Sequence, residues 1–309
     1  MSERNLEYII THDDEGKLVK EILKDQFHLS RREISHLKGF DDGILINGGH
    51  VNVIYNVSSG EILHVTIHEN IENSSEIVPM EGPLNIVYED EDIIVVNKSA
   101  GLLVHPLKGH FTSTLSNHIA WHFKQNGETH VIRPVGRLDR ETSGLIVFGK
   151  NRFSANSLND QSINGVKVKE YLALCSGFFD NKEGRINSPI GLAPGVKMVR
   201  TIREDGDPAL TYYEVIEQKN GFALVKLRLE TGRTHQIRVH MRSIGHALLG
   251  DGLYGNDLQD WYGMERVALH SSHMEIIHPV TGQKLLFDAA IPNDMKETLH
   301  KNSSTSDRQ

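Results

Sequence analysis

Apolar residues recur along the chain with two different periods, and the points where the period changes divide it into segments. In KLVKEILKDQF, Leu18, Ile22 and Leu23 fall on one side of a helix. SRREISHLKGF follows, with Ser30 placed as an N-cap and Glu33 three residues on, the spacing of a capping box. ILINGGHVNVIYNV then alternates, and Asn47-Gly48-Gly49 predicts a turn between two strands. VSSGEILHVTI predicts a further strand, so residues 1–70 read as a small domain of two helices and several strands.

ENIENSSEIVPMEGP has no clear period and holds two prolines, which predicts a linker over 71–82. LNIVYEDEDIIVVNK predicts a hairpin with an acidic turn. TSTLSNHIAWHFKQNG predicts a helix capped by Thr112 or Ser113, with Leu115 and Ile119 on one face and Gly127 as its stop. GLIVFGK, KVKEYLALCSG, ALTYYEVIEQ and GFALVKLRLE predict strands, the last two joined at Asn220-Gly221. THQIRVHMRSIG predicts a helix capped by Thr234, lined by Ile237, Met241 and Ile244 and ended by Gly245. Strands with scattered helices and no regular βαβ alternation predict an α+β domain over 83–298, its sheet mixed and largely antiparallel. The polar end, KNSSTSDRQ, predicts a disordered tail over 299–309.

The chain's 309 residues suffice for these two domains. No apolar run reaches the roughly 20 residues that span a bilayer. The opening MSERNLEYIITHDDEG lacks the apolar centre of a signal peptide. The single cysteine excludes an intrachain disulfide, and a cytoplasmic protein with no membrane partner is expected. Cys175, inside YLALCSG, reads as a core residue. A net charge of −8 does not by itself point to nucleic acid, although a local basic face would be enough to bind it. Eighteen histidines invite a metal reading, but the sequence holds no HExxH and no Cys–His cluster. His270 and His273 could share a helix face, yet nothing acidic completes a site, and no metal is expected.

Five segments concentrate chemistry. In GRLDRETSGL, Asp139 stands between Arg137 and Arg140, cations that favour a charged carboxylate, on a turn entering a strand. A loop aspartate bonding its own turn is the simpler reading of this segment alone. In LETGRTHQIRVHMRSIGHALLGDGLYG, Arg233, His235, Arg238, His240 and Arg242 crowd a helix start, which suits an anion as well as a solvated basic face. In KVKEYLALCSG, alternation puts Lys167, Lys169 and Tyr171 on one strand face, Tyr171 serving as core or as a stacking group. NKSAGLLVHP brings Lys98 and His105 to a glycine turn. LSRREISHLKG offers Arg31, Arg32, His36 and Lys38 around a helix, fitting phosphate contacts or ordinary solvation.

Together these segments resemble the RluA-type family of RNA pseudouridine synthases. GRLDRETSGL resembles its signature, and NKSAGLLVHP, KEYLAL, DGDPALTYYEV and TGRTHQIRVHMRSIGHALLGDGLYG resemble its other motifs, in family order across residues 83 to 292. Residues 16 to 65 are similar to an S4-type RNA-binding domain. Three positions depart from the usual pattern: Ser99 stands where a proline is common, Asp207 where a lysine is, and Gly49-His50 where a basic residue often follows the turn.

The resemblance implies isomerisation of specific uridines in structured RNA without a cofactor, by a monomer. Ribosomal RNA of the large subunit is favoured over transfer RNA as substrate. It assigns Asp139 as the catalytic carboxylate, Arg238 as its partner and Tyr171 as the catalytic residue that packs on the base and helps remove the C5 proton. Arg137, Arg233, His235 and His105 are expected to bind substrate, with Arg31, Arg32 and Lys38 doing so from the front domain. Two other readings stay open. A glycosidase would need a second carboxylate, for which Glu141 is nearest. A non-catalytic RNA-binding or ribosome-assembly factor would be indifferent to loss of Asp139.

Overall fold

In a computed structural model of the chain, the described residues are 2–27, 29–69, 77–107, 112–196, 198–219 and 221–301. The first unit comprises β1 (Ser2–Ile9), α1 (Val19–Asp25), α2 (Arg31–Leu37), β2 (Ile44–Ile46), β3 (Gly49–His50) and β4 (Ile62–Glu69). Its four strands form one antiparallel sheet in the order β1-β4-β2-β3. Ser30 caps α2 as expected: its hydroxyl accepts from the Glu33 amide at 3.3 Å, and the Glu33 carboxylate accepts from the Ser30 amide at 2.9 Å. Asn47 and Gly48, both with positive φ, make the hairpin turn. Leu23, Ile22, Ile44, Leu63 and Val65 are buried in a core of this unit's own. β1 was not expected, because SERNLEYI carries charges on its outer positions and only Leu6 is buried among its described side chains.

The larger unit contains β5 (Ile86–Glu89), β6 (Ile93–Lys98), α3 (Leu115–Gln125), β7 (Arg133–Val135), β8 (Ser143–Gly149), α4 (Arg152–Ile163) and β9 (Val168–Ser176). It continues with β10 (Glu183–Asn187), β11 (Ile190–Leu192), β12 (Arg200–Ile202), β13 (Leu210–Lys219), β14 (Phe222–Leu229), α5 (Gln236–Ser243), β15 (Leu269–Ile277), β16 (Lys284–Asp288) and α6 (Asn293–Lys301). One ten-stranded sheet runs β10-β13-β14-β9-β15-β8-β6-β5, with β16 paired to β15 and β7 to β8; β11 and β12 form a separate ribbon. All its pairs are antiparallel except β8 with β15. The α+β expectation holds.

That parallel pair sets the site. A Cβ at Gly144 would lie 2.2 Å from the Ser271 carbonyl, and its φ is +109°, so glycine is required where β8 leaves the Asp139 turn against β15. Cys175 lies buried in the main core with Ile146, Phe148, Leu227, Ile237 and Met241, and burial pushes its thiol well above the ordinary range.

Several local expectations need correction. Thr114, not Thr112 or Ser113, caps α3; its hydroxyl accepts from the Asn117 amide. Ser113 instead adopts a left-handed φ of 58°. His235, also left-handed, precedes α5 in place of Thr234, and Ile244 is exposed because the helix has already ended at Ser243. His270 and His273 lie on β15, not on a helix. α6 reaches Lys301, into the segment expected to be a tail; 302–309 lie outside the described residues. So do 71–76 of the expected linker and Asn220 of the expected turn. Residues 77–82 lie against α3, where Asn117 donates to the Val78 carbonyl at 2.7 Å and accepts the Met80 amide at its own carbonyl.

The two units meet through a polar latch. Arg4 of β1 forks onto Asp92 at the β5–β6 turn with two bonds of 2.9 Å. Asp92 is 3% exposed and also accepts from Asn151 at 2.9 Å. Asn156 of α4 donates to Glu33 of α2, and Phe153 of α4 inserts into the core of the first unit.

Candidate active site

Asp139 sits in the turn between β7 and β8, and two cations hold that turn from beneath. Lys98, at the end of β6, is 1% exposed and finds no carboxylate within salt-bridge distance among the described residues. Its ammonium donates to the carbonyls of Ser99, Leu102 and Arg140 at 2.9, 2.8 and 3.0 Å. The NKSAGL turn and the Asp139 turn are thereby tied together, and the Gly101 amide adds a bond of 2.9 Å to the same Arg140 carbonyl. Burial lowers the Lys98 ammonium to about 8. Arg266 reaches the Glu141 carbonyl at 3.2 Å while its fork holds Asp294 of α6.

Arg238, on the first turn of α5, comes within 3.5 Å of the Asp139 carboxylate through Nη1. That contact is long for a hydrogen bond, as catalytic contacts often are before substrate arrives. The closer partner of Arg238 is Asp251. Its Nε and Nη2 donate to the two Asp251 oxygens at 2.7 and 2.8 Å, and Asp251 is fully buried. Asp251 also accepts the amides of Leu253 and Tyr254. Burial alone would lower the guanidinium, but the bond and charge of Asp251, with Asp139 behind them, hold it above its ordinary value. The fork is thus immobilised with one nitrogen left for Asp139.

His235 approaches the same Asp139 oxygen as Arg238, with Nε2 at 3.8 Å. Its Nδ1 lies 2.8 Å from the Tyr254 hydroxyl, which already accepts the Arg200 amide at 2.8 Å. The phenol proton is therefore free to go to Nδ1, leaving the proton of the neutral ring on Nε2, facing Asp139. Burial lowers this imidazole below its ordinary value and keeps it neutral near pH 7. Its left-handed backbone is fixed by Gln236, whose Oε1 accepts the Arg233 amide and whose amide group donates to Leu210 and Thr211 of β13.

Tyr171 of β9 closes the floor. It is 5% exposed, and burial, with the Asp139 carboxylate adding, pushes its phenol far above 10. Asp139, Tyr171, Arg238, Arg137, Arg233 and His235 line one pocket. The sequence named all six.

Other expectations part from this pocket. His105 does not line it; its ring lies against Ser116 at the start of α3, at 3.2 Å. The anion site expected at the start of α5 is largely occupied by the protein itself. Arg238 is held by Asp251, His240 by Thr211 and the Ser188 carbonyl, and Arg242 by Asp257. Arg31, Arg32 and Lys38 are exposed around α2, apart from the pocket. Asp251 and Tyr254 were missed; the signal available was an aspartate enclosed by Gly250 and Gly252 in a loop already marked as tight. Arg266 had no signal, standing in a polar stretch without period.

Among the described residues, Asp90, Asp92 and His278 place ligand atoms within 4.8 Å of one another. Protein donors already occupy those atoms: Tyr88, His278 and two amides on Asp90, and Arg4 and Asn151 on Asp92. His270 and His273 likewise spend their nitrogens on Ser143, the Ala289 carbonyl, Asp288 and Glu275.

Residues 92–243 match the family model described as RNA pseudouridylate synthase. The chain is 37% identical over 298 residues to YhcT of Bacillus subtilis (strain 168), named an uncharacterized RNA pseudouridine synthase, covering 95% of this chain and 96% of that one. It is 39% identical over 234 residues to the ribosomal large subunit pseudouridine synthase D of Zymomonas mobilis, covering 71% and 72%. Human RNA pseudouridylate synthase domain containing 1 superposes with a TM-score of 0.58 at 24% identity, over 74% of this chain and 100% of that one, a likeness of fold. No helix among the described residues is long and apolar enough to cross a membrane. The turn that presents Asp139, the strand that carries Tyr171 and the helix that carries Arg238 fall within the matched span, and the chain belongs to the RNA pseudouridylate synthase family, isomerases that act on RNA.

Proposed function

We propose that this chain converts specific uridines of structured RNA, large-subunit ribosomal RNA foremost, to pseudouridine with Asp139 as the catalytic carboxylate. One observation carries the reading: a partly exposed carboxylate turns one oxygen toward both an immobilised guanidinium and a neutral imidazole, in a pocket that a buried tyrosine also lines. Pseudouridylation breaks the N1–C1′ bond, turns the base and rejoins it through C5. Asp139 either attacks C1′ to form an ester or takes the 2′ proton to give a glycal. Arg238 keeps the carboxylate aimed. Tyr171 packs against the base, which is flipped out of its stack to reach this depth, and Arg137 and Arg233 meet the RNA around the opening.

The first unit, residues 1–70, acts as an S4-like RNA-binding module, with Arg31, Arg32 and Lys38 on an exposed face, joined by the 71–82 linker to a catalytic domain over 83–298. The ribosomal preference rests on relatives named as large-subunit synthases. The enzyme works as a cytoplasmic monomer. The test is a pseudouridine map of total RNA from cells lacking the gene, complemented with wild type or with Asp139→Ala. Sites lost in the deletion and restored by wild type alone are the expected result. An unchanged map in every strain, at full coverage of ribosomal and transfer RNA, would leave a non-catalytic binding factor as the better account.

A further inference from the structure

Two cations precede Tyr171 in the chain. Lys169, on β9, stands two residues before it, about 7 Å along the strand. Lys167 stands two residues farther, in the bend that enters β9 at Val168. They line a second cavity, of about 500 Å³, which shares Tyr171, Arg137 and Arg233 with the Asp139 pocket. The two cavities therefore adjoin along that shared wall.

Neither lysine has a carboxylate partner among the described residues. Lys167 is 9% exposed, and among the described residues its ammonium meets a single acceptor, the Val135 carbonyl at 3.3 Å. Lys169 has no hydrogen bond or ion pair among the described residues. Arg200 of β12, lining the same cavity, has a buried Nε without a partner. Asp207 and Glu230 also line it, but neither lies within salt-bridge distance of these lysines; the ion-pair partner of Glu230 is Arg228. Burial of an unpaired cation is costly, and burial does lower both ammonium groups, Lys169 to about 8. Apolar residues would fill these positions more stably. Lysines with spare donors suit a site where the ligand brings the negative charge.

We infer that this cavity receives two successive phosphodiesters of the RNA strand beside the flipped uridine, Lys169 taking the nearer and Lys167 the farther. The inference rests on the proposed reading of the Asp139 pocket. Lys169 on β9 and Lys167 in the bend before it line one cavity two residues apart, a spacing comparable with that of successive phosphates along an extended nucleotide chain. Each phosphate supplies the counter-charge that its lysine lacks.

The test is equilibrium binding of a fluorescent uridine oligoribonucleotide to the full chain across a salt series, with thermal unfolding measured in parallel. Wild type is compared with Lys167→Met, Lys169→Met and the double variant. Each substitution should lower the slope of log affinity against log salt by about 0.7, as loss of one single-strand phosphate contact does, and should weaken low-salt binding about tenfold. The melting temperature should hold or rise, since an unpaired buried charge has been removed. Unchanged slopes, whether or not stability falls, would overturn the inference and make the lysines structural, as would failure of wild type to bind the oligonucleotide at low salt. Neither measurement needs turnover, so an inactive wild type in the pseudouridine map would sink the proposed function without deciding this one.

Discussion

Arg238 is clamped by Asp251, with Asp139 as its more distant neighbour: two bonds of 2.7 and 2.8 Å to the first, one contact of 3.5 Å to the second. The guanidinium is thus oriented before substrate arrives, and its free nitrogen costs no reorganisation during reaction. Asp251→Asn should lower the single-turnover rate by on the order of 10²-fold although Asp251 never touches RNA. It should also destabilise the fold by roughly 3–5 kcal/mol, the cost of breaking a buried ion pair. Arg238→Lys keeps a charge but loses the fork and should be similarly slow. Near-wild-type rates for either variant would refute the clamp.

Tyr171 carries a prediction about pH. Its phenol is held far above its ordinary value of about 10, so it stays neutral across the working range. The pH–rate profiles of wild type and Tyr171→Phe should therefore keep the same shape between about pH 6 and 10, whatever their heights. An alkaline limb present in wild type and absent from the phenylalanine variant would show that the phenol ionises during turnover and that the packing role is incomplete.

Lys98 tests how the turn is held. Lys98→Met leaves three carbonyls without their shared donor, at about 2–4 kcal/mol in total. Calorimetry should show that loss, and the rate should fall with it because the Asp139 turn is released. A variant as stable as wild type would mean that the backbone bonds of the turn suffice alone.

Arg4 tests the latch between the units. Arg4→Ala leaves Asp92 to Asn151 and Ser154 and removes the fork on Asp92 and the ion pair with Glu91 that tie β1 to the β5–β6 turn. Hydrogen exchange should quicken in β1 and α2 while the strands around Asp139 keep their protection. Uniform loss of protection throughout the chain would show instead that the units fold as one body.

What the sequence disclosed follows from what each residue depends on. Ser30 and Glu33 lie three positions apart in one helix, so their capping box is local and legible. Asp139, Tyr171 and Arg238 each stood in a dense, motif-like stretch, but only the pairing of β8 with β15 and the docking of α5 on β13 bring them together. Asp251 was hidden because its partner is thirteen residues away and its role is spatial. The cap of α5 was misplaced for a similar reason. Thr234 has the right side chain, yet Arg137, 97 residues distant, takes its hydroxyl. His105 was drawn into the site by motif alone, and the turn after β6 points it at α3. β1 went unseen because a half-exposed edge strand with charged outer positions looks like a polar leader.

The central claim is that Asp139 performs the isomerisation. Large-subunit ribosomal RNA transcribed with 5-tritiated uridine reports it directly, since rejoining the base through C5 expels that tritium into water. Wild type should release tritium, and Asp139→Asn should release it on the order of 10³-fold more slowly while binding the RNA with similar affinity. Release by Asp139→Asn at the wild-type rate would contradict the account.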